Sequence, residues 1–382
     1  MLHYSTAGES HGKSLLALID GFPAGLTVDE GFINHELRLR QGGYGRGGRQ
    51  KLEQDTVNIL SGTWQSVTLG SPIAMQIVNN DYKLERLKEL ERPRPGHADL
   101  TGAIKYLGSI RGVLERSSAR ETAARVAAGA LARLLLREFG IETVGYVVQL
   151  GEMKFGSQGT QDLTISQVRT LRDSSSLYSV QPQTDPDAQA YIDRMADEGD
   201  TLGGIVEVRV DGLPFGLGTH AQWHRKLDGK LAQAVMAVQA IKGVEIGMGF
   251  EAAGKRGSQV HDPIQHDPSL SHLPHLGYVR PSNNAGGLEG GMTNGQPLIL
   301  RAAKKPISTL RKPLDSIRME DKQPHRANYE RSDVCAISAA AIIVEHVVAF
   351  EIATALVDKF GGDSLVEMKA RYDLFMQMAR AH

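Results

Sequence analysis

The chain has a single cysteine, Cys335, among 382 residues, which excludes an internal disulfide and a cysteine-built metal centre. Aromatic side chains are scarce at 5%, leaving few platforms on which nucleic-acid bases could stack. An excess of either charge is also missing. Lys and Arg total 43 against 44 Asp and Glu, so the net charge is −1 and no global field draws the protein to nucleic acid or membrane. No secretory signal precedes Tyr4, and no apolar run is expected to reach membrane-spanning length. No G-x-x-x-x-G-K-[ST] loop occurs, which argues against a P-loop NTPase. These absences describe a cytoplasmic globular enzyme, and 41% hydrophobic content is ample for its core.

What is present is local: arginine and glycine in clusters. The segment 116–121 (RSSARE) runs into the alanine-rich TAARVAAGALARLLLREFG, which reads as a helix over 119–139 stopped by Gly140. Ser118 and Glu121 have the S-x-x-E capping-box spacing. The start of such a helix favours anions, and Arg116 and Arg120 flank it. Gly43-Tyr44-Gly45-Arg46-Gly47-Gly48 matches G-x-G-x-x-G literally, but a helical pattern precedes it and an extended one follows, the reverse of the dinucleotide fingerprint. The better reading is a flexible loop carrying Arg40, Arg46 and Arg49 over an anionic ligand, because Arg pairs bidentately with phosphate and carboxylate.

Two histidines stand in conformationally special segments. In GESHG (8–12) flanking glycines present Ser10 and His11, either for proton transfer or as a loop His that caps the next element. In RPRPGHAD (92–99) Pro93 and Pro95 stiffen the chain before His97, and Asp99 is placed to orient that imidazole; a solvated turn is the alternative. His261, His266, His272 and His275 are too irregularly spaced for a metal site.

Strand-like runs occur at 57–60, 73–78, 143–149, 205–210 and 298–302, and helical patterns at 228–241 and 337–360, which together indicate an α+β fold. The polar stretches 153–190 and 252–284 read as an irregular surface excursion and a mobile loop. No linker divides the chain, so a single domain over 1–382 is expected, with mobile loops near 40–50, 252–284 and 311–330. Arg-Ser leads into an alanine-rich helix twice, at 116 and 331, a hint of internal duplication.

In order along the chain, GESHG at 8–12, GYGR at 43–46, RPGHAD at 94–99, RSSARET at 116–122, AIKGVEIG at 240–247, AGGLEGGMTNGQP at 285–297, KPIST at 305–309 and RSDVCA at 331–336 resemble the chorismate synthase family. The resemblance spans about the whole chain and is weakest at 153–190 and 258–280. It implies a β-α-β sandwich with internal pseudo-duplication, assembled as a homotetramer. It implies an anti-1,4-elimination of phosphate from 5-enolpyruvylshikimate 3-phosphate to give chorismate, the last step of the shikimate pathway, dependent on reduced FMN. By motif, His11 and His97 match the catalytic histidines and Asp333 the acid that assists proton removal. Arg116, Ser117 and Ser118 match an FMN-contacting triplet, with Gln239, Ala240, Gly290, Lys305, Pro306, Ile307, Ser308, Thr309 and Arg331 as further flavin contacts. Ser10, Arg40, Arg46, Arg49 and Arg120 remain for phosphate, either of the substrate or of NADPH acting as an external reductant, and substrate phosphate is the more physical partner. Two other classes compete: an RNA or phosphometabolite binder, and a flavin reductase that consumes NADPH.

Overall fold

The structure, a computed structural model, describes residues 1–47, 54–157, 159–330 and 332–382. Arg49 and Arg331 therefore lie outside the described residues.

Two antiparallel sheets carry the fold. The first runs His3–Ala7, Ser14–Asp20, Ile73–Val78, Val57–Ser61 in spatial order. Its alternation is visible in Ser14–Asp20, where Leu15, Ala17 and Ile19 are buried while Leu16, Leu18 and Asp20 face outward. The second runs Met153–Lys154, Glu142–Leu150, Gly204–Asp211, Leu298–Lys304, Ile241–Ile246. Between the sheets lie the helices Thr122–Arg137 and Ile337–Phe360, packed on one another and each on a sheet. Both are buried nearly all round, which explains compositions rich in Ala, Val, Ile and Leu with almost no polar face. Small residues let them approach closely: a Cβ on Gly129 would fall 2.3 Å from the His346 carbonyl oxygen.

Once the shorter elements, the helices Ile165–Ser174 and Asp185–Glu198 between two strands of the second half, and the last helix Leu365–Ala381 are set aside, the order of the main elements repeats. Strand, strand, helix (Glu30–Gln41), strand, strand and final helix (Thr122–Arg137) is followed by strand, strand, helix (Leu227–Met236), strand, strand and final helix (Ile337–Phe360). In both sheets the four long strands sit in the order first, second, fourth, third. The duplication hinted at by the paired Arg-Ser leads is thus carried by the topology.

Several sequence expectations need correction. The S-x-x-E capping box does not form. Ser118 ends the helix Ile110–Ser117 and its hydroxyl accepts from the Arg120 N–H, while Glu121 turns to Thr6, Arg125 and Gln239. The long helix begins at Thr122 rather than 119. The helix expected over 228–241 stops at Met236, and Ile241–Ile246 is a strand. The stretch 153–190 contains the helix Ile165–Ser174 and the start of Asp185–Glu198. Ile165 and Val168 pack on Val144, Tyr146 and Val148, covering the outer face of the second sheet. Finally, Ile337–Phe360 is long and apolar enough to cross a membrane by length and composition, against the expectation that no run would be, yet nearly all of it is buried between the sheets.

A charged network crosses this core. The Arg133 guanidinium lies 2.8 Å from Glu36 and 3.0 Å from Glu345, and Arg172 approaches Glu345 at 3.0 Å. His346 Nε2 lies 3.3 Å from the Glu36 carboxylate, and its Nδ1 faces the Ile342 carbonyl. Burial would raise the Glu36 carboxyl, but Arg133 and His346 outweigh it and hold it below the ordinary carboxylate range.

Candidate active site

The functional candidates collect at one end of the layers. The loop after His3–Ala7 carries Ser10 and His11, Asn79 follows Ile73–Val78, and Arg40 closes Glu30–Gln41. The leads into both final helices, 116–121 and 332–336, reach the same end, as does Lys304 at the close of Leu298–Lys304. The loop 42–47 is fastened there: Tyr44 N–H donates to the Ser176 carbonyl, and the Gly45 carbonyl accepts from Val334 and Cys335 N–H. Gly45, at φ +84°, leaves 3.0 Å between its missing Cβ and that of Cys335, so a side chain there would part the loop from the 332–335 segment.

Around His11 the structure is polar and tightly bonded. Its Nδ1 lies 3.0 and 3.1 Å from the two Glu115 oxygens, and its backbone N–H donates to Glu115 Oε2 at 2.8 Å. Its Nε2 faces the Asp81 carboxylate at 3.8 Å. The Ser118 hydroxyl donates to Ser10 Oγ at 3.2 Å, so two residues proposed from separate motifs meet. Arg116 donates to the Thr6 and Gly8 carbonyls, holding the strand that leads to this loop. Beneath them, Asp55 Oδ2 pairs with Arg120 at 2.7 Å and Arg40 at 3.4 Å. Arg40 sits on a helix, is 4% exposed, and also bonds Thr122 and the Ala119 carbonyl. It does not ride in the loop over a ligand, as the sequence suggested. Burial, offset in part by Asp55 and reinforced by Arg120 and Arg46, draws its guanidinium below the ordinary value.

A second group surrounds Asp333. One oxygen accepts from Gly47 N–H at 2.6 Å and the other pairs with Arg46 at 3.0 Å. Asp333 is not a helix cap: Ile337–Phe360 starts after Ala336 with no side-chain cap. Neighbouring Lys304 is pulled down to about 8 by burial, with Arg46 and Lys305 adding to the effect and Cys335 and Asp333 opposing it.

A third group holds His97. Its Nδ1 meets Asp99 Oδ1 at 2.5 Å, and Arg94 clamps the other Asp99 oxygen at 2.8 Å. Burial alone would raise Asp99, yet hydrogen bonds from His97 and Arg94 hold it well below the usual range. Arg94 also donates to Thr309, and the Lys305 ammonium to the Gly96 carbonyl, tying KPIST to the His97 loop. Ser308 lies against that loop too, Ile307 accepts from Thr201 through its carbonyl, Pro306 is exposed, and the Ser117 hydroxyl bonds back to the Leu114 carbonyl. Ala240 accepts the Lys305 N–H while holding φ at +70°, and Gln239 donates to Glu121. Gly290 stands apart in a hairpin that bonds to Leu227 through Gly291.

Sequence reasoning missed Glu115, Asp81, Lys304 and Asp55. Glu115 follows a hydrophobic pair and precedes the RSS motif, and nothing local shows that it meets a residue 104 positions earlier.

Layers of this order, closed at one end by arginines, lysines and two carboxylate-backed histidines, define an α+β enzyme that handles small polyanions. A family profile described as chorismate synthase matches residues 2–357. Relatives named chorismate synthase from Geobacter metallireducens and Desulforamulus reducens are each 52% identical to this chain, covering 100% of both sequences. A solved structure described as a crystal structure of chorismate synthase superposes with a TM-score of 0.82 at 40% identity, covering 100% of this chain and 99% of that one. The chain belongs to the chorismate synthase family. Its activity is that of a carbon–oxygen lyase of the shikimate pathway.

Proposed function

We propose that this chain removes phosphate from C3 and a proton from C6 of 5-enolpyruvylshikimate 3-phosphate, in the anti-1,4 sense, to give chorismate with reduced FMN bound. The observation that carries the reading is the convergence of His11, His97 and Asp333, far apart in sequence, on one end of the sandwich lined by Arg46, Arg116, Lys304 and Lys305. The two carboxylates and the phosphate of the substrate, with the phosphate of the flavin, together bring about five to six negative charges, given roughly −1.5 to −2 per phosphate, and buried anions need paired cations and donors.

The residues fit a flavin. Gln239 Oε1 and Arg46 Nε are buried without a hydrogen-bond partner among the described residues, so polar capacity is left for a ligand. Arg116, Ser117 and Ser118 would hold it on one side, with Gln239, Ala240 and 305–309 on the other. Reduced FMN, when bound, supplies an electron-rich ring whose N5 can take up the C6 proton.

The chain's own residues do the rest. His11, with Nδ1 occupied by Glu115, directs Nε2 outward and gives a proton to the departing phosphate. Arg46 meets the substrate phosphate, while Arg40 and Arg120 hold Asp55 beneath the site and contribute charge. His97, fixed by Asp99, would help to hold reduced FMN by offsetting its negative charge. Asp333, fixed by Arg46 and Gly47, would stand beside the bound flavin and assist removal of the C6 proton.

NADPH serves as an external reductant, the assembly is a homotetramer, the chain acts as one domain, and the enzyme is cytoplasmic. The outer face of the first sheet, which exposes Leu16, Leu18 and Val78, supports assembly. The test is an anaerobic assay with substrate and chemically reduced FMN. One FMN should support many turnovers, since the elimination is redox-neutral. Oxidation of one flavin per chorismate formed would refute it, and NADPH consumption without the phosphorylated substrate would favour a flavin reductase.

A further inference from the structure

Glu115 takes three hydrogens from two consecutive residues of the Ser10–His11 loop. Its carbonyl accepts the Ser10 N–H at 2.8 Å, its Oε2 accepts the His11 N–H at 2.8 Å, and both side-chain oxygens stand within 3.1 Å of His11 Nδ1. The carboxylate is buried, its side chain 1% exposed, at the end of the helix Ile110–Ser117. Arg111, one turn earlier on the same helix, lies 3.6 Å from it and pairs with Glu330 at 3.0 Å, so the carboxylate has a second cation beside it. Burial would raise Glu115, but the hydrogen bonds from His11 and the charges of His11 and Arg111 outweigh it, so it stands ionised. An ionised carboxylate only accepts hydrogen bonds. Nδ1 of His11 must therefore carry a proton in every protonation state of the ring, and the exchangeable position is Nε2, on the side of Asp81.

We propose that Glu115 is the positioning residue of His11, fixing its Nδ1–H tautomer and ring plane so that Nε2 alone exchanges the proton that leaves with phosphate. The inference rests on His11 acting as the acid. Glu115 touches neither substrate nor flavin and acts only through the histidine. A loop staple by itself would need only the two backbone bonds; the contact of both oxygens with Nδ1 is the part that a staple does not require.

Glu115→Gln separates the two roles. The amide oxygen still accepts the His11 N–H, but the amide can also donate to Nδ1, which releases the tautomer. With substrate and reduced FMN under anaerobic conditions, Glu115→Gln should keep KM within ~3-fold and lose ~10- to 100-fold in kcat, the range typical of groups that orient a functional His. Glu115→Asp keeps the charge and should recover part of that loss. In parallel, long-range ¹H–¹⁵N spectra of histidine-labelled protein, with the His11 signals assigned by their loss in His11→Asn, should show the Nδ1–H tautomer in the wild type. A growing Nε2–H fraction is expected in Glu115→Gln. An Nε2–H tautomer in the wild type overturns the proposal, even if no Glu115 variant folds. So does a kcat loss in Glu115→Gln without a change of tautomer, or an unchanged kcat. Wild-type turnover in His11→Asn would instead refute the acid role of His11, leaving the tautomer measurement to judge Glu115 by itself.

Discussion

At the scale of single residues, two roles available to a carboxylate ahead of a helix have been separated by geometry. Asp333 does not cap Ile337–Phe360; it binds Arg46 and the Gly47 N–H. Asp333→Asn should therefore leave helix and fold intact and retain FMN binding, while lowering turnover by ~10²–10⁴-fold. The isotope effect with substrate deuterated at C6 should grow; unchanged turnover and isotope effect would remove Asp333 from the chemistry. Asp99 makes a second expectation, about pH. Its folded-state carboxyl is depressed, so the stability it contributes is complete above its ordinary value of 3.8 and is lost as pH falls below that. The difference in urea midpoint between wild type and Asp99→Asn should be largest at neutral pH and shrink as pH is taken down through ~3. A difference that grows in acid would contradict the bonding described. The histidines were legible because glycine and proline mark places where the backbone is set for presentation rather than packing. Their carboxylate partners were legible only when close by: Asp99 is two residues from His97, whereas Glu115 reaches His11 only after the first sheet and the 110–117 helix have met.

At the scale of elements, alternation and apolar runs located five strands and the 337–360 helix closely, because burial on one face or all round leaves a strong pattern, but they passed over the strands His3–Ala7, Ser14–Asp20 and Ile241–Ile246. Boundaries failed where a polar side chain had a distant partner. Glu121 has the spacing of a cap residue, but Thr6, Arg125 and Gln239 bind it in three dimensions. The helix Ile165–Ser174 escaped notice because its stretch is polar overall, although Thr164 and Gln167 form the capping box that announces it. The closest contact between the central helices gives a testable sign. Alanine at position 129 would gain ~1 kcal/mol in helix propensity, but its Cβ would stand 2.3 Å from the His346 carbonyl oxygen and 2.5 Å from the His346 Cβ. Overpacking costs about 1–3 kcal/mol, so Gly129→Ala should lower the urea midpoint; a rise would mean that the helices part freely. Arg133 serves Glu36 and Glu345 at once, and Arg133→Met takes the guanidinium from Glu36 and leaves Glu345 with Arg172 in the core. A loss of about 3–5 kcal/mol is expected from equilibrium unfolding, as for one partner removed from a buried pair.

At the scale of the whole molecule, the site belongs to neither half alone. His11 and Arg116 come from the first repeat, Lys305 and Asp333 from the second, and the packed helices Thr122–Arg137 and Ile337–Phe360 set their separation. The two leads also stand in register. Arg116 precedes Thr122 by six positions, and Arg331 precedes Ile337 by six, which matches Ser118 with Asp333. A symmetric pair of identical chains must place the same residue at both equivalent points, so whatever pocket lies between them is obliged to be even-handed. Joining the copies in one polypeptide lifts that obligation. A hydroxyl occupies one point, beside the Ser10–His11 loop, and a carboxylate the other, beside Arg46, so equivalent places in the two halves present different chemistry. An elimination that discharges phosphate at one carbon and a proton at another needs such handedness, and the repeat supplies the two similar walls from which it was made.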